Sequence, residues 1–467
     1  MVGQCNIYLM TTNLFEYQNN ETFSERHFDG LEEFLDDIWS KREKSNYYFN
    51  EEDNRVEQQR FVQFLHKSKT LKSNKYVGVV HYEGQTINLL PKIFYNGKDP
   101  EAYQVNAINK HILWWLSYCR KLKFPNYLSA LNTEKADFFE ILIYLFSKYT
   151  RELLNSAIYQ KYTEVNKELS FVKGRIDFGA YINKNLSRGR NHKISCEFDA
   201  FEMDNEFNRC VKFVSKLLLS VTKEPQSKRF LSDVLFILDE VKDVNVSSDK
   251  MKRMSFNPMF SDFETIRDYC VLFLDNSVSF NFKNDLKLFA FLLPMEYVFE
   301  DFIFGFIDKE IDEIKAKDQD KSRYLAEGNK FQLKPDLLLE FDSRKIIADT
   351  KYKIVYDDIT DSKNGIAQTD LYQMLAYAVR FKVKEVVLFY PNTITMRKPN
   401  DSVLFLVDEL AKGERVQIKS CQLPIINFKL FDVDYVNEKS IDLEFTTQKE
   451  QLKIELIKSL MAGNANK

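Results

Sequence analysis

Two aspartates and a lysine in the last third of the chain have the types and spacing for phosphate chemistry. In residues 333–353, LKPDLLLEFDSRKIIADTKYK, apolar runs at 337–341 and 346–348 flank a polar turn, Asp342-Ser343-Arg344-Lys345, the pattern of a β-hairpin. Centring the turn between Asp342 and Ser343 sets Asp336 opposite Asp349, Leu338 opposite Ile347 and Glu340 opposite Lys345. Directly opposed side chains in an antiparallel pair have Cβ atoms roughly 4.5–5.5 Å apart. Two carboxylates that close repel unless one is protonated or a cation lies between them. Strand alternation puts Lys351 on the same face as Asp349. Two acids and a lysine at a strand end form the kind of oxygen site that hard Mg²⁺ takes, with room for water and phosphate. The competing reading is a surface hairpin whose charged ends are merely solvated.

The neighbouring elements must hold this hairpin. Residues 294–314 place apolar side chains at 295, 298, 299, 302, 303, 306 and 307, a helical repeat, with Pro294 suited to the first turn. Residues 367–381 form a second helix, followed by a strand at 385–390 that Pro391 stops. One strand is expected between 322 and 332. The order is then αβββαβ. With PD at 335–336 and DTK at 349–351, it resembles the core of the PD-(D/E)xK nuclease superfamily. Gln373 and Tyr377, four apart, share a helix face and resemble the accessory Q-x-x-x-Y motif of RecB-type nucleases. The plainer reading is an ordinary amphipathic helix. Glu300 on the first helix matches the acid that many superfamily members carry there.

Composition narrows the alternatives. At 467 residues, 44% hydrophobic, the chain is long enough for two or three domains with substantial cores. A net charge of −3 excludes a uniformly basic nucleic-acid binder but leaves room for a local basic groove. The six cysteines form no C-x-x-C pair, so neither a zinc site nor a disulfide framework is indicated. No apolar run reaches membrane-spanning length and the N-terminus is no signal peptide, so a cytoplasmic protein with no membrane partner is expected. All five histidines precede residue 193, which leaves the hairpin region without a local imidazole. There is no G-x-x-x-x-G-K-[ST], hence no P-loop nucleotide hydrolysis.

The fold expected is mixed α/β in three consecutive parts. Residues 1–105 form a β-rich domain, with helical spacing at 31–40 and 55–67, a mobile polar loop at 41–54 and a hairpin at 76–95 turning at Glu83-Gly84-Gln85. Residues 106–289 are mainly helical, with Trp114 and Trp115 in the core and the longest amphipathic run at 138–162. Residues 201–219 begin another helix, with Asp204 or Asn205 able to cap it, and 245–253 reads as a loop. Residues 290–467 hold the nuclease core and, from about 437, a charged tail with a last short helix. The most basic segment, 171–193, offers Lys173, Arg175, Arg188 and Arg190 for DNA or a partner; its plainer reading is a solvated loop.

A wider set of short motifs resembles McrC-like nuclease subunits of McrBC-type restriction systems. They are Pro91-Lys92-Ile93, the run from Lys173 to Phe178, Asp204 with Asn208-Arg209, Phe299-Glu300, Lys334-Pro335-Asp336, the run from Asp349 to Lys353, and DLYQMLAY at 370–377. The resemblance runs from about residue 76 to 390; residues 1–75 carry none of it. It implies a Mg²⁺-dependent DNA endonuclease, with Mn²⁺ as a possible substitute, that does not choose its own target. An McrB-like AAA+ GTPase ring would recognise DNA, often at modified cytosine, and this subunit would dock on the ring, stimulate GTP hydrolysis and cut. The resemblance gives metal binding to Asp336, Asp349 and the carbonyl of Thr350, water orientation and charge stabilisation to Lys351, and backbone positioning to Gln373 and Tyr377. Two rival readings remain: a non-catalytic activator or scaffold of an AAA+ ring, and a stand-alone RecB-like exonuclease.

Overall fold

The anticipated hairpin is present. In the computed structural model, Leu337–Phe341 and Arg344–Thr350 pair antiparallel with Leu338 against Ile347 and Glu340 against Lys345. The turn is shorter than the polar run suggested. Asp342 and Ser343 alone make it, both in the left-handed region (φ 47° and 61°), which matches the twist of the flanking strands. The structure describes residues 11–41, 61–82, 85–120, 138–279, 289–318, 322–328, 330–355, 367–395, 402–408, 414–435 and 441–461. The mobile loop expected at 41–54 lies almost wholly outside them.

The hairpin sits inside a six-stranded sheet, ordered Lys315–Asp318, Leu337–Phe341, Arg344–Thr350, Glu385–Pro391, Glu414–Leu423 and Ser402–Asp408. The strands Arg344–Thr350, Glu385–Pro391 and Glu414–Leu423 run parallel, so their C-terminal ends share one edge. Helix Gln368–Phe381 lays Met374, Tyr377 and Ala378 on Ile347, Val386, Leu388 and Ile418 of this sheet. Counting only the strands of this sheet, the elements run αβββαβ, with the first strand not where expected. Helix Met295–Glu310 ends early, and Lys315–Asp318 joins the sheet at once. Ile311 and Ile314 prolong the helical spacing only because both are buried in the connection. Residues within 322–332 belong instead to a separate small hairpin, Arg323–Ala326 with Lys330–Leu333.

The charged tail expected from about 437 does carry a last helix, but that helix is packed into the protein. Two further strands complete the sheet, and helix Thr446–Leu460 buries Leu452, Leu456 and Leu460. Phe445 stacks on Trp114 at 4.5 Å, and Glu444 takes a buried 2.7 Å ion pair from Lys110. Both partners lie on helix Ala102–Tyr118, whose Trp114 and Trp115 are core residues as expected. This helix passes close to Met295–Glu310: a Cβ on Gly305 would stand 1.9 Å from the Tyr118 carbonyl oxygen. His111 on helix Ala102–Tyr118 is buried and neutral, its pKa pushed down to about 3 by burial, with Nε2 accepting the Asn427 N–H.

The N-terminal hairpin, Tyr76–Tyr82 with Gln85–Leu90, belongs to a five-stranded sheet completed by Thr11–Phe15 and by two strands from far downstream, Phe289–Pro294 and Ser277–Ser279. The compact units are accordingly Met1–Leu142 with Asp275–Lys467, and Ile143–Leu274, a division that does not follow residues 105 and 289. Residues 62–65 are a strand rather than the continuation of a helix, since Val62 and Phe64 alternate into the core; 55–60 lie outside the described residues.

The unit Ile143–Leu274 is not purely helical. Helix Phe138–Ser156, which enters it, stops before Lys161–Leu169, a strand paired with Ile194–Glu202 and followed in the sheet by Arg175–Ile176. Its alternating exposed and half-covered residues suit a strand, which ends the helical run sooner than expected. Asn205, not Asp204, caps helix Glu206–Val221, accepting the Asn208 N–H; Asp204 is held by Arg209. Residues 245–253 contain the short helix Ser248–Lys252 rather than only loop. Among the described residues no helix is long and apolar enough to cross a membrane.

Candidate active site

At the C-terminal edge of the parallel strands, the hairpin register brings Asp336 and Asp349 together one step beyond the last ladder pair. Asp336 Oδ2 accepts both the Thr350 N–H at 2.7 Å and the Thr350 hydroxyl at 2.8 Å. Asp349 is 1% exposed. Lys351 sets its ammonium against Asp349 Oδ2, while Asp349 Oδ1 has no hydrogen-bond partner. The strand end is tied down by Lys351 N–H donating to the Phe389 carbonyl at 2.8 Å.

Helix Gln368–Phe381 supplies the second layer. Lys351 Nζ donates to Gln373 Oε1 at 3.2 Å, Gln373 Nε2 to the Tyr377 hydroxyl at 2.8 Å, and that hydroxyl to the Lys334 carbonyl at 3.0 Å. The four-residue spacing of Gln373 and Tyr377 makes this relay possible. Glu300, on helix Met295–Glu310, is buried near enough for its charge to act on Asp349.

Burial and mutual repulsion govern the electrostatics. Burial, and then the charge of Asp349, push the Asp336 carboxyl up to about 7. Asp349 is raised by burial and by Asp370 and Glu300, with Lys351 working against them. Burial alone would lower the Lys351 pKa, but Asp349 and Asp336 outweigh it and favour the ammonium. Two buried carboxyls that oppose each other's ionisation, one with an unsatisfied oxygen, are a donor set fitted to a hard divalent cation. Among the described residues no three His, Cys, Asp or Glu side chains are placed to hold one metal ion, so other ligands would come from backbone and water.

The sequence matches the family described as McrBC 5-methylcytosine restriction system component over residues 71–391, more than half of the chain. The chain belongs to this family. Among solved structures it is similar to a chain of the refined half-complex from the tetradecameric assembly of Thermococcus gammatolerans McrB AAA+ hexamers with bound McrC. That likeness has a TM-score of 0.65 and 16% identity, and covers 96% of this chain and 100% of that one. A chain of the Thermococcus gammatolerans McrBC complex, seen by cryo-electron microscopy, gives 0.49 and 18%, covering 78% of this chain and 99% of that one. No curated relative matches. At such identities the first likeness establishes a shared fold.

Within this McrBC-family chain, Asp336, Asp349, Lys351, Gln373, Tyr377 and Glu300 all converge, and all fall inside the matched residues. Thr350 joins them through its N–H and hydroxyl on Asp336. Lys173, Arg175, Arg188 and Arg190 belong to the other compact unit, Ile143–Leu274. There Arg175 is bound to Glu197, and Lys173 stands 4.3 Å over the Phe198 ring. The segment 171–193 is structured, with a strand and short helical turns, rather than a loop. Sequence reasoning gave no role to Asp370, buried beside the site and bound by Lys353 Nζ at 2.7 Å. Its spacing of three from Gln373 and seven from Tyr377, which puts all three on one helix face, was the available signal.

Proposed function

We propose that this chain is the Mg²⁺-dependent endodeoxyribonuclease of a restriction complex driven by an McrB-like AAA+ GTPase. The observation that carries this reading is the buried Asp336 and Asp349 pair with Lys351 against it and one Asp349 oxygen unsatisfied. Asp336, Asp349 and the Thr350 carbonyl would hold Mg²⁺. When bound, Mg²⁺ supplies Lewis-acid polarisation of the phosphodiester and acidifies water. Lys351, kept in its ammonium form by its carboxylate neighbours, offsets charge that develops on the phosphate oxygens and orients the attacking water. Gln373 holds that ammonium in place, and Tyr377 fixes the backbone just before Asp336. DNA bound without base readout would be held through phosphates, so its affinity falls steeply with salt.

The partner reading rests on the McrBC family and on a surface of the unit Ile143–Leu274. Tyr162 and Phe201 face each other across two strands, 69% and 51% exposed with rings 4.9 Å apart. Phe171, Phe178 and Ile182 are also exposed, beside Lys173, Arg175, Arg188 and Arg190. Exposed apolar side chains in such number mark an interaction face, and we assign the Tyr162 and Phe201 pair to the AAA+ ring.

The test is cleavage of modified plasmid DNA by the full chain with its cognate ring, GTP and Mg²⁺. Asp349→Asn should abolish cutting while GTP turnover stays stimulated. Cutting at the wild-type rate by that variant would overturn the assignment. Tyr162→Ser with Phe201→Ser should do the reverse to GTP turnover, returning it to the ring's basal rate; full stimulation by that variant removes the docking surface from the proposal.

A further inference from the structure

The segment after strand Gln85–Leu90 reaches the same sheet edge that carries the carboxylates. The chain turns at Pro91 through the single helical turn Lys92–Phe94. The Ile93 carbonyl accepts the Ile394 N–H at 2.8 Å, just past strand Glu385–Pro391. The Lys92 ammonium stands 4.5 Å over the ring of Tyr352, the residue that follows Lys351. Tyr352 is 3% exposed, and its ring also lies 5.9 Å from Phe299.

Lys92 is itself anchored from the N-terminal sheet. Its N–H donates to Glu16 Oε2 at 3.1 Å, and Glu16, buried at the end of strand Thr11–Phe15, donates its own N–H to the Leu90 carbonyl at 3.0 Å. Glu16 is near enough to Tyr352 for its charge to act on the phenol. The Tyr352 ring thus has a cation over its face and the tilted ring of Phe299 against it. The Lys353 N–H returns to the Lys351 carbonyl at 2.8 Å, so Tyr352 is the middle of a tight turn directly after Lys351, and holding its side chain holds the peptide that presents Lys351. Strand Arg344–Thr350 has ended at this point, and beyond it the Lys351 N–H bond to the Phe389 carbonyl holds the backbone on one side while the contacts of Tyr352 hold it on the other.

We propose that Lys92 is a positioning residue for the site of Asp336, Asp349 and Lys351, holding Tyr352 and through it the peptide that presents Lys351 and the Thr350 carbonyl. The inference rests on reading that site as the nuclease centre. It gives the Pro91-Lys92-Ile93 motif a function: the N-terminal sheet becomes part of the cutting apparatus.

The experiment compares Lys92→Met, which keeps the apolar stem without the cation, with Lys92→Arg, in the full chain beside Asp349→Asn. Three readouts are taken: single-turnover cleavage with the ring partner, Mn²⁺ affinity of the isolated chain by calorimetry, and the thermal unfolding midpoint. Lys92→Met should lose about tenfold in cleavage and weaken Mn²⁺ binding about threefold with an unchanged midpoint, and Lys92→Arg should recover both to within about twofold. Wild-type cleavage and Mn²⁺ binding by Lys92→Met overturn the proposal. So does a loss in Lys92→Met that Lys92→Arg shares, or one matched by a fall in the midpoint. If Asp349→Asn itself cuts normally, the nuclease reading has failed; if only Asp349→Asn is silent, the positioning role alone has failed.

Discussion

Lys351 donates a 3.2 Å hydrogen bond to Gln373, and the relay continues through Tyr377 to the backbone carbonyl of Lys334, two residues before Asp336. The lysine and the first carboxylate therefore share one support, so a shift of helix Gln368–Phe381 moves both together.

Breaking the relay should cost less than removing a member of the site. A lost hydrogen bond to a charged group is worth about 1.5–3 kcal/mol. Gln373→Ala should slow single-turnover cleavage by about tenfold to a hundredfold, and Tyr377→Phe by about tenfold, whereas Lys351→Ala should cost about a hundredfold or more. Kinetics on a plasmid substrate check the ranking. Equal losses in all three would argue against a supporting role for the helix.

Divalent-ion affinity should depend on pH through Asp336. Its carboxyl is raised to about 7 by burial and by Asp349, and a carboxylate ligand must lose its proton to bind. The apparent Mn²⁺ affinity should be roughly tenfold weaker at pH 6 than at pH 8, with proton uptake or release visible as a buffer-dependent binding enthalpy. A flat profile would contradict the assignment of Asp336 as a ligand.

Glu16 should imprint a slope on stability. Burial, opposed by Lys92, raises its carboxyl from 4.5 to about 7. The folded chain then holds a proton that the unfolded chain has released across that window. Stability from this group is greatest in acid, falls as pH rises from 4.5 to about 7, and is level above. The span is on the order of 3 kcal/mol. Denaturant unfolding with EDTA at pH 5 and pH 8 should show Glu16→Gln losing less stability on going to pH 8 than the parent does.

Gly305→Ala should destabilise the unit that contains the site. An added Cβ would stand 1.9 Å from the Tyr118 carbonyl oxygen, so helices Ala102–Tyr118 and Met295–Glu310 must part. Overpacking of this kind costs about 1–3 kcal/mol. A thermal midpoint equal to the parent's would mean the helices separate freely.

What could be read from the sequence was local. The pairing of Leu338 with Ile347 follows from a turn and two alternating runs within a dozen residues, and the Gln373 and Tyr377 face from helical spacing. Asp336 and Asp349 meet because that register holds. Lys315–Asp318 was hidden because four residues at a sheet edge, half of them lysine, carry no alternation that distinguishes them from a loop. The approach of Glu16 and Lys92 to Tyr352 joins opposite ends of the chain, and no local pattern encodes such a meeting. Phe289–Pro294 was legible as apolar sequence but not as a partner of Tyr76–Tyr82, since pairing over that separation is decided by the assembled core.

The placement of Phe289–Pro294 against Tyr76–Tyr82 also orders events at the ribosome. The N-terminal sheet lacks this strand until the whole of Ile143–Leu274 has been made. At roughly 5–20 residues per second, that delay is on the order of ten seconds, during which the edge of Tyr76–Tyr82 is open. The unit Ile143–Leu274 can fold as it emerges, so it is complete while the N-terminal sheet still waits for its strand.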